Sequence, residues 1–142
     1  MDRPISRPRR NRRTEVIRSL VRETALDVSH LVLPLFIHAG KEDIPIAAMP
    51  GCARLGVEGL LRVAEGTLAD GIRSIVLFPA IEESLKTRQA EECFHAKGLI
   101  PQSIRSLKKR FPELVVMTDI ALDPYSSDGH DGLVADDGRI LN

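Results

Sequence analysis

The sequence predicts an α/β protein built on a parallel sheet, and two features carry that prediction. Three apolar runs, LVLPLFIH at 31–38, SIVLFPA at 74–80 and LVVMT at 114–118, recur about forty residues apart. Each has the length and the aliphatic content of a strand. Between them, apolar residues fall at helical spacing. Fully apolar strands alternating with amphipathic helices imply parallel pairing, with helices packed over the sheet. The 142 residues suit one domain, and a 43% hydrophobic content is enough to bury a core.

The chain opens with MDRPISRPRRNRR, which holds six arginines and two prolines. Such a run repels itself and offers no apolar face, so it predicts an extended arm over 1–13, ahead of a domain over 14–142. Thr14 can cap a short helix with Glu15 in its first turn and an apolar stripe at Val16, Ile17, Leu20 and Val21. The run 31–38 reads as a strand buried on both faces. Pro34 argues against a full ladder there and for a bulge or local edge. The stretch 39–55 reads as a loop, with Pro50-Gly51 as a turn.

From Gly56 to Asp70, Val57, Leu60, Leu61, Ala64 and Leu68 form a helical stripe, and Gly71 follows at the place of a C-terminal cap. After the second strand, 81–97 is polar and charged, a surface loop or partly helical excursion. Ile100, Ile104, Leu107 and Phe111 make a further stripe, with Pro101 tolerated in its first turn. Lys108-Lys109-Arg110 reads as a solvated helix face. Asp136-Asp137-Gly138 reads as a hairpin turn.

Composition narrows the function classes. Twenty basic and twenty acidic residues give no net charge, and one Tyr, four Phe and no Trp leave little for base stacking. The basic run resembles a nucleic-acid patch in isolation, but the rest of the chain offsets it, and an arm that docks on protein is the preferred reading. No apolar stretch approaches the roughly 20 residues of a membrane span, and the N-terminus lacks the apolar segment of a secretory signal. Cys52 and Cys93 lie far apart and read as buried, reduced thiols. These features predict a soluble, cytoplasmic protein with no nucleic-acid or membrane partner.

The third strand runs directly into DIALDPYSSDGHDG, residues 119–132, with four aspartates and a histidine. Ligands of α/β proteins bind at the carboxyl ends of the strands, so Asp119, Asp123, Asp128, His130 and Asp131 stand where chemistry is expected. An oxygen-rich set suits a hard cation such as Mg²⁺ better than Zn²⁺. The spacing is not that of an EF-hand. Asp, Ser, Gly and Pro are also turn formers, and a purely structural turn stays open. His38 and His95 receive no role.

RPRRNRR at 7–13, MPG at 49–51, LFP at 77–79 and TDIALDPYSSDGHDGLVADDGRILN at 118–142 closely resemble the porphobilinogen synthase (5-aminolevulinate dehydratase) family, in order over nearly the whole chain. The resemblance implies a (β/α)₈ barrel that condenses two molecules of 5-aminolevulinate to porphobilinogen in tetrapyrrole synthesis. About three of its βα units would lie in this chain. It also implies a homo-octamer in which the basic arm wraps a neighbouring subunit, so that Arg7, Arg9, Arg10, Arg12 and Arg13 meet groups across a subunit boundary.

Zinc-dependent members carry three cysteines in the loop after the third strand. The matching positions here are Ala121, Asp123 and Asp131. The chain therefore resembles the zinc-independent, often magnesium-stimulated branch. Asp119, Asp123 and Asp131 are implied at the active-site mouth, with Asp123 and Asp131 as cation or substrate-amine ligands. Three positions depart from the family pattern: Asp128 stands for a histidine, Phe94 for a tyrosine and His95 for an asparagine.

The family reaction uses two Schiff-base lysines on later strands, and Lys41, Lys86, Lys97, Lys108 and Lys109 match neither. Three strands cannot close a barrel of eight. The expectation is the N-terminal portion of a larger enzyme, inactive alone. The alternative is a non-catalytic remnant or interaction module that associates with a full-length synthase.

Overall fold

A computed structural model describes residues 9–141. They divide into two compact units between His30 and Leu31.

In the first unit, Arg9–Arg12 form a 3₁₀ turn, so this part of the predicted extended arm is coiled. Arg7 lies outside the described residues. Helix α1, Glu15–Leu20, starts as expected: the Thr14 hydroxyl accepts the Ile17 N–H at 3.2 Å. Its apolar stripe stays in solvent, with Val16 69% and Leu20 79% exposed. Helix α1 falls within the first unit, which ends at His30.

The second unit is the α/β body. Strand β1 spans Leu33–His38, β2 Ile44–Pro45, β3 Ala53–Leu55, β4 Ser74–Ala80 and β5 Val115–Thr118. Helix α2 spans Val57–Ala69 and α3 spans Leu99–Arg110. A closing hairpin pairs β6, Leu133–Val134, with β7, Ile140–Leu141, around the predicted turn, where Gly138 takes φ 82°. The five-stranded sheet has the order β2-β3-β1-β4-β5. β1 is parallel to β3 and β4, and β4 is parallel to β5; only β2 is antiparallel.

Each helix boundary has a physical cause. α2 ends where Gly71 adopts φ 85°, its N–H meeting the Leu68 carbonyl while that of Ile72 meets Thr67, a glycine-capped motif. At the other end, Gly56 brings no capping side chain. Asp43 supplies the carboxylate instead, accepting the Gly56 N–H at 3.1 Å and pairing with Arg62 at 2.5 Å. Gly59 leaves the space, because a Cβ there would stand 2.0 Å from Asp43 Oδ1. After α3, the Lys108 ammonium donates to the Pro112 and Leu114 carbonyls at 2.5 and 2.8 Å. That lysine ties down a turn and is more than a solvated charge.

The core lies between one sheet face and the two helices. Leu35, Ile37, Ile75 and Leu77 alternate along β1 and β4 onto Leu60, Ala64, Leu107 and Phe111. Each fully buried aliphatic chain contributes about 1.5–3 kcal/mol relative to exposure. The opposite face carries Phe36 and Phe78, ring centroids 5.8 Å apart, with Val115 and Met117 exposed. The expectation of strands buried on both faces is therefore corrected among the described residues: the helices cover one face only. Alternate side chains point to the other, which in a barrel faces inward.

Pro34 sits where the local edge was expected. The ladder between β1 and β3 covers only Phe36 and Ile37, which leaves the chain at Pro34 without a partner on that side.

Candidate active site

Because β1, β4 and β5 run parallel, their carboxyl ends open on one edge of the sheet. Three connections meet that edge: the one after His38, the excursion after Ala80 and the acid loop after Thr118. The first is tied by His38, whose Nδ1 accepts the Gly40 N–H at 3.2 Å, so that Nε2 carries the proton to the Glu42 carbonyl at 2.8 Å. That is a structural histidine.

The acid loop and the excursion after β4 enclose a cavity of about 300 Å³, with Cys93, Asp119, Ala121, Asp123 and Tyr125 in its wall beside Phe78. Asp119 and Asp123 both line this cavity. Asp131 does not line it. Its Oδ1 accepts the N–H groups of Leu122 at 2.6 Å and Asp123 at 3.1 Å, which folds the loop back on itself. Asp131 thus serves a turn, whereas Asp119 and Asp123 line the cavity. Among the described residues, no three His, Cys, Asp or Glu side chains gather as a cation cage.

The excursion is more ordered than its polarity suggests. Two 3₁₀ turns, Glu83–Leu85 and Glu91–Phe94, flank a bridge between Thr87 and Ser126. The Thr87 N–H donates to the Tyr125 carbonyl at 3.2 Å, and the Ser127 N–H returns to the Thr87 carbonyl at 3.0 Å. Arg88 pairs with Asp128 at 3.3 Å, so the acid expected to depart from the family pattern has a cationic partner. Ala90 is buried at φ 53°, the left-handed region, and leads the chain into the turn that delivers Cys93.

Tyr125 is 9% exposed. Burial raises its phenol above the ordinary tyrosine range, and Cys93 and Glu92 add to the shift. The Glu91 carboxyl is lowered by the hydrogen bond from the Thr87 hydroxyl. Of the remaining departures, Phe94 points into solvent at 73% exposure, and His95 Nδ1 lies 3.3 Å from Glu92.

Neither cysteine is buried. Cys52 is exposed beside the Gly51 turn and Cys93 is half-buried at the cavity wall, because both follow strand or turn ends outside the helix–sheet core. No lysine is buried or lines the cavity of the acid loop. Lys86 pairs with Glu83 at 2.5 Å. Arg88, Tyr125 and Asp43 escaped the sequence reading, since nothing in their local pattern reveals partners so far along the chain.

A family model described as delta-aminolevulinic acid dehydratase matches residues 5–142. The chain belongs to that family. It is 52% identical over 138 residues to the chloroplastic delta-aminolevulinic acid dehydratase of Selaginella martensii, covering 96% of this chain and 33% of the relative. Against the chloroplastic enzyme of Oryza sativa subsp. japonica it is 53% identical over 137 residues, covering 96% and 32%. A crystal structure of the Toxoplasma gondii ME49 enzyme, called porphobilinogen synthase and holding its reaction product porphobilinogen, superposes with a TM-score of 0.92 at 43% identity. That match covers 96% of this chain and 39% of that one.

The chain thus spans about a third of the length of the curated relatives it matches. The parallel α/β body is the N-terminal part of a barrel of this family. The chloroplastic names overturn the cytoplasmic expectation and point to a plastid. That expectation rested on the reading of Cys52 and Cys93 as reduced thiols and on the lack of an apolar signal or span, features that do not tell cytoplasm from plastid. No helix among the described residues is long and apolar enough to cross a membrane.

Proposed function

We propose that these strands and the acid loop form one side of the active-site mouth of a porphobilinogen synthase, which joins two molecules of 5-aminolevulinate in tetrapyrrole synthesis within a plastid. The observation that carries the reading is the cavity at the strand ends, where Asp119 and Asp123 face a common space. Its carboxylates hold the substrate ammonium group and take up or return protons at the amine. The Schiff-base step needs a lysine whose amine is freed by burial. No lysine of this chain has that setting, so the step belongs to the rest of the barrel and these 142 residues do not turn over alone.

A cation at this mouth would be a hard one. Ala121, Asp123 and Asp131 present no thiolate, and Mg²⁺ is commonly held by one or two carboxylates and water. Asp123 and Asp131 are the carboxylates of this loop that would supply such a contact, Asp131 while its Oδ1 accepts the Leu122 and Asp123 N–H groups. Arg9, Arg10, Arg12 and Arg13 are exposed beside the apolar stripe of α1. With Arg7 they form the arm that docks on a neighbouring subunit of a homo-octamer.

The alternative is a non-catalytic module associating with a full-length synthase, and the three departures from the family pattern would favour it. Asp128 is paired, His95 is paired and Phe94 is solvated, so the structure accommodates all three. The test is a colorimetric porphobilinogen assay on the chain alone and mixed with a lysine-bearing C-terminal fragment, each with and without Mg²⁺. Product only in the mixture, increased by Mg²⁺, is the expected result. No product in any arm, with both pieces folded, would contradict the catalytic reading.

A further inference from the structure

We propose that Arg88 is a positioning residue that clamps the acid loop and thereby shapes the mouth, an inference that rests on the catalytic reading above. Its guanidinium reaches three groups roughly forty or more residues along the chain. Nε lies 3.3 Å from Asp128 Oδ2, Nη1 lies 4.0 Å from Asp136 Oδ1, and Nη2 donates to the Val134 carbonyl. Beside it, Thr87 exchanges backbone hydrogen bonds with Tyr125 and Ser127. One side chain and one short bridge therefore join the excursion after β4 to both the acid loop and the β6–β7 hairpin.

The cavity depends on that join. Its wall takes Cys93 from the excursion and Asp119, Asp123 and Tyr125 from the acid loop. Two flexible segments keep a fixed spacing only where something links them. A planar guanidinium with five donors can serve two carboxylates and a carbonyl together, whereas a lysine offers one compact charge on a mobile stem.

The Arg88 side chain is 56% exposed, and exposed ion pairs add little to global stability. Its effect therefore lies in the order of the loop, which opens locally and more easily than the core. Melting of the whole protein should not register it.

The test compares parent, Arg88→Gln, Arg88→Lys, Asp128→Asn and the double variant Arg88→Gln/Asp128→Asn in the full-length enzyme. Hydrogen exchange of the peptide covering 119–132 and the steady-state constants for 5-aminolevulinate are measured together. Arg88→Gln should speed exchange of that peptide roughly tenfold, as for a loop released from its tether, and raise KM more than it lowers kcat, with Tm unchanged. The double variant should be no worse than Arg88→Gln, and Arg88→Lys should recover part of both effects.

Unchanged exchange in Arg88→Gln would overturn the clamp, whatever happens to the rate. Faster exchange in an enzyme whose parent forms no porphobilinogen would leave the clamp standing and refute the catalytic reading.

Discussion

Tyr125 shows how packing of the acid loop sets the titration of a side chain. Its ring is buried against the excursion after β4, and that burial, with Cys93 and Glu92 nearby, raises the phenol pKa. The sign of the linkage follows. Below the unfolded value of about 10, both states hold the proton and the full stability is present. As pH rises above it, the unfolded chain ionises first, so stability falls through the folded pKa. Tyr125 is the only tyrosine in the 142 residues, so its ultraviolet titration reads the group directly. The folded chain should titrate above pH 10 and shift back on adding denaturant. Tyr125→Phe should weaken the alkaline loss of stability. Coincident titration curves in the two states would show that the ring is not buried in this way.

The aspartates at the same scale divide by geometry. Asp119 and Asp123 face the cavity, whereas Asp131 folds the loop through two backbone N–H groups. Their concentration after an apolar strand was legible in the sequence, because a strand end in an α/β fold is where polar groups converge. Which acid turns inward was not. That depends on hydrogen bonds across eight or nine residues and on Arg88, which reaches Asp128 from forty residues away. Composition contains no record of such pairings.

At the scale of elements, helical spacing located α2 and α3 closely because each buries a stripe against the sheet. Gly71 marked the end of α2 because only a positive φ closes that turn without strain. Strands β2 and β3 were missed. They are two and three residues long, too short for any periodicity, and exist because β1 offers β3 a ladder at Phe36 and Ile37.

The start of α2 was also beyond sequence reading, since its cap comes from Asp43, thirteen residues before Gly56. Asp43→Ala should therefore destabilise the protein by about 1 kcal/mol, the usual loss on removing a capping carboxylate. Gly59→Ala should cost about 1–3 kcal/mol, because its methyl collides with that carboxylate. Denaturant melts of the two single variants and of the pair check this. The pair should lose less than the sum, since removing the carboxylate makes room for the methyl. Strict additivity would separate Asp43 from Gly59.

Across the whole molecule, the two sheet faces have different fates. One is sealed by α2 and α3, while the other leaves Phe36, Phe78 and Met117 in partial or open contact with solvent. A closed barrel turns such a face into its packed interior. Apolar content predicted burial of both faces, but only the full set of strands can provide it. On the function proposed above, the same closure would bring further strand ends around the cavity that Asp119 and Asp123 line.

The rate of porphobilinogen formation by the full-length enzyme carrying Asp119→Asn or Asp123→Asn, against the unsubstituted enzyme, measures the part those acids take. Loss of the charge should lower kcat/KM roughly a hundredfold or more, the scale for removing one electrostatic contact to reacting groups. Tm should stay unchanged, because both side chains are exposed in the loop. Unaltered rates in both variants would contradict the placement of the catalytic mouth at the end of β5.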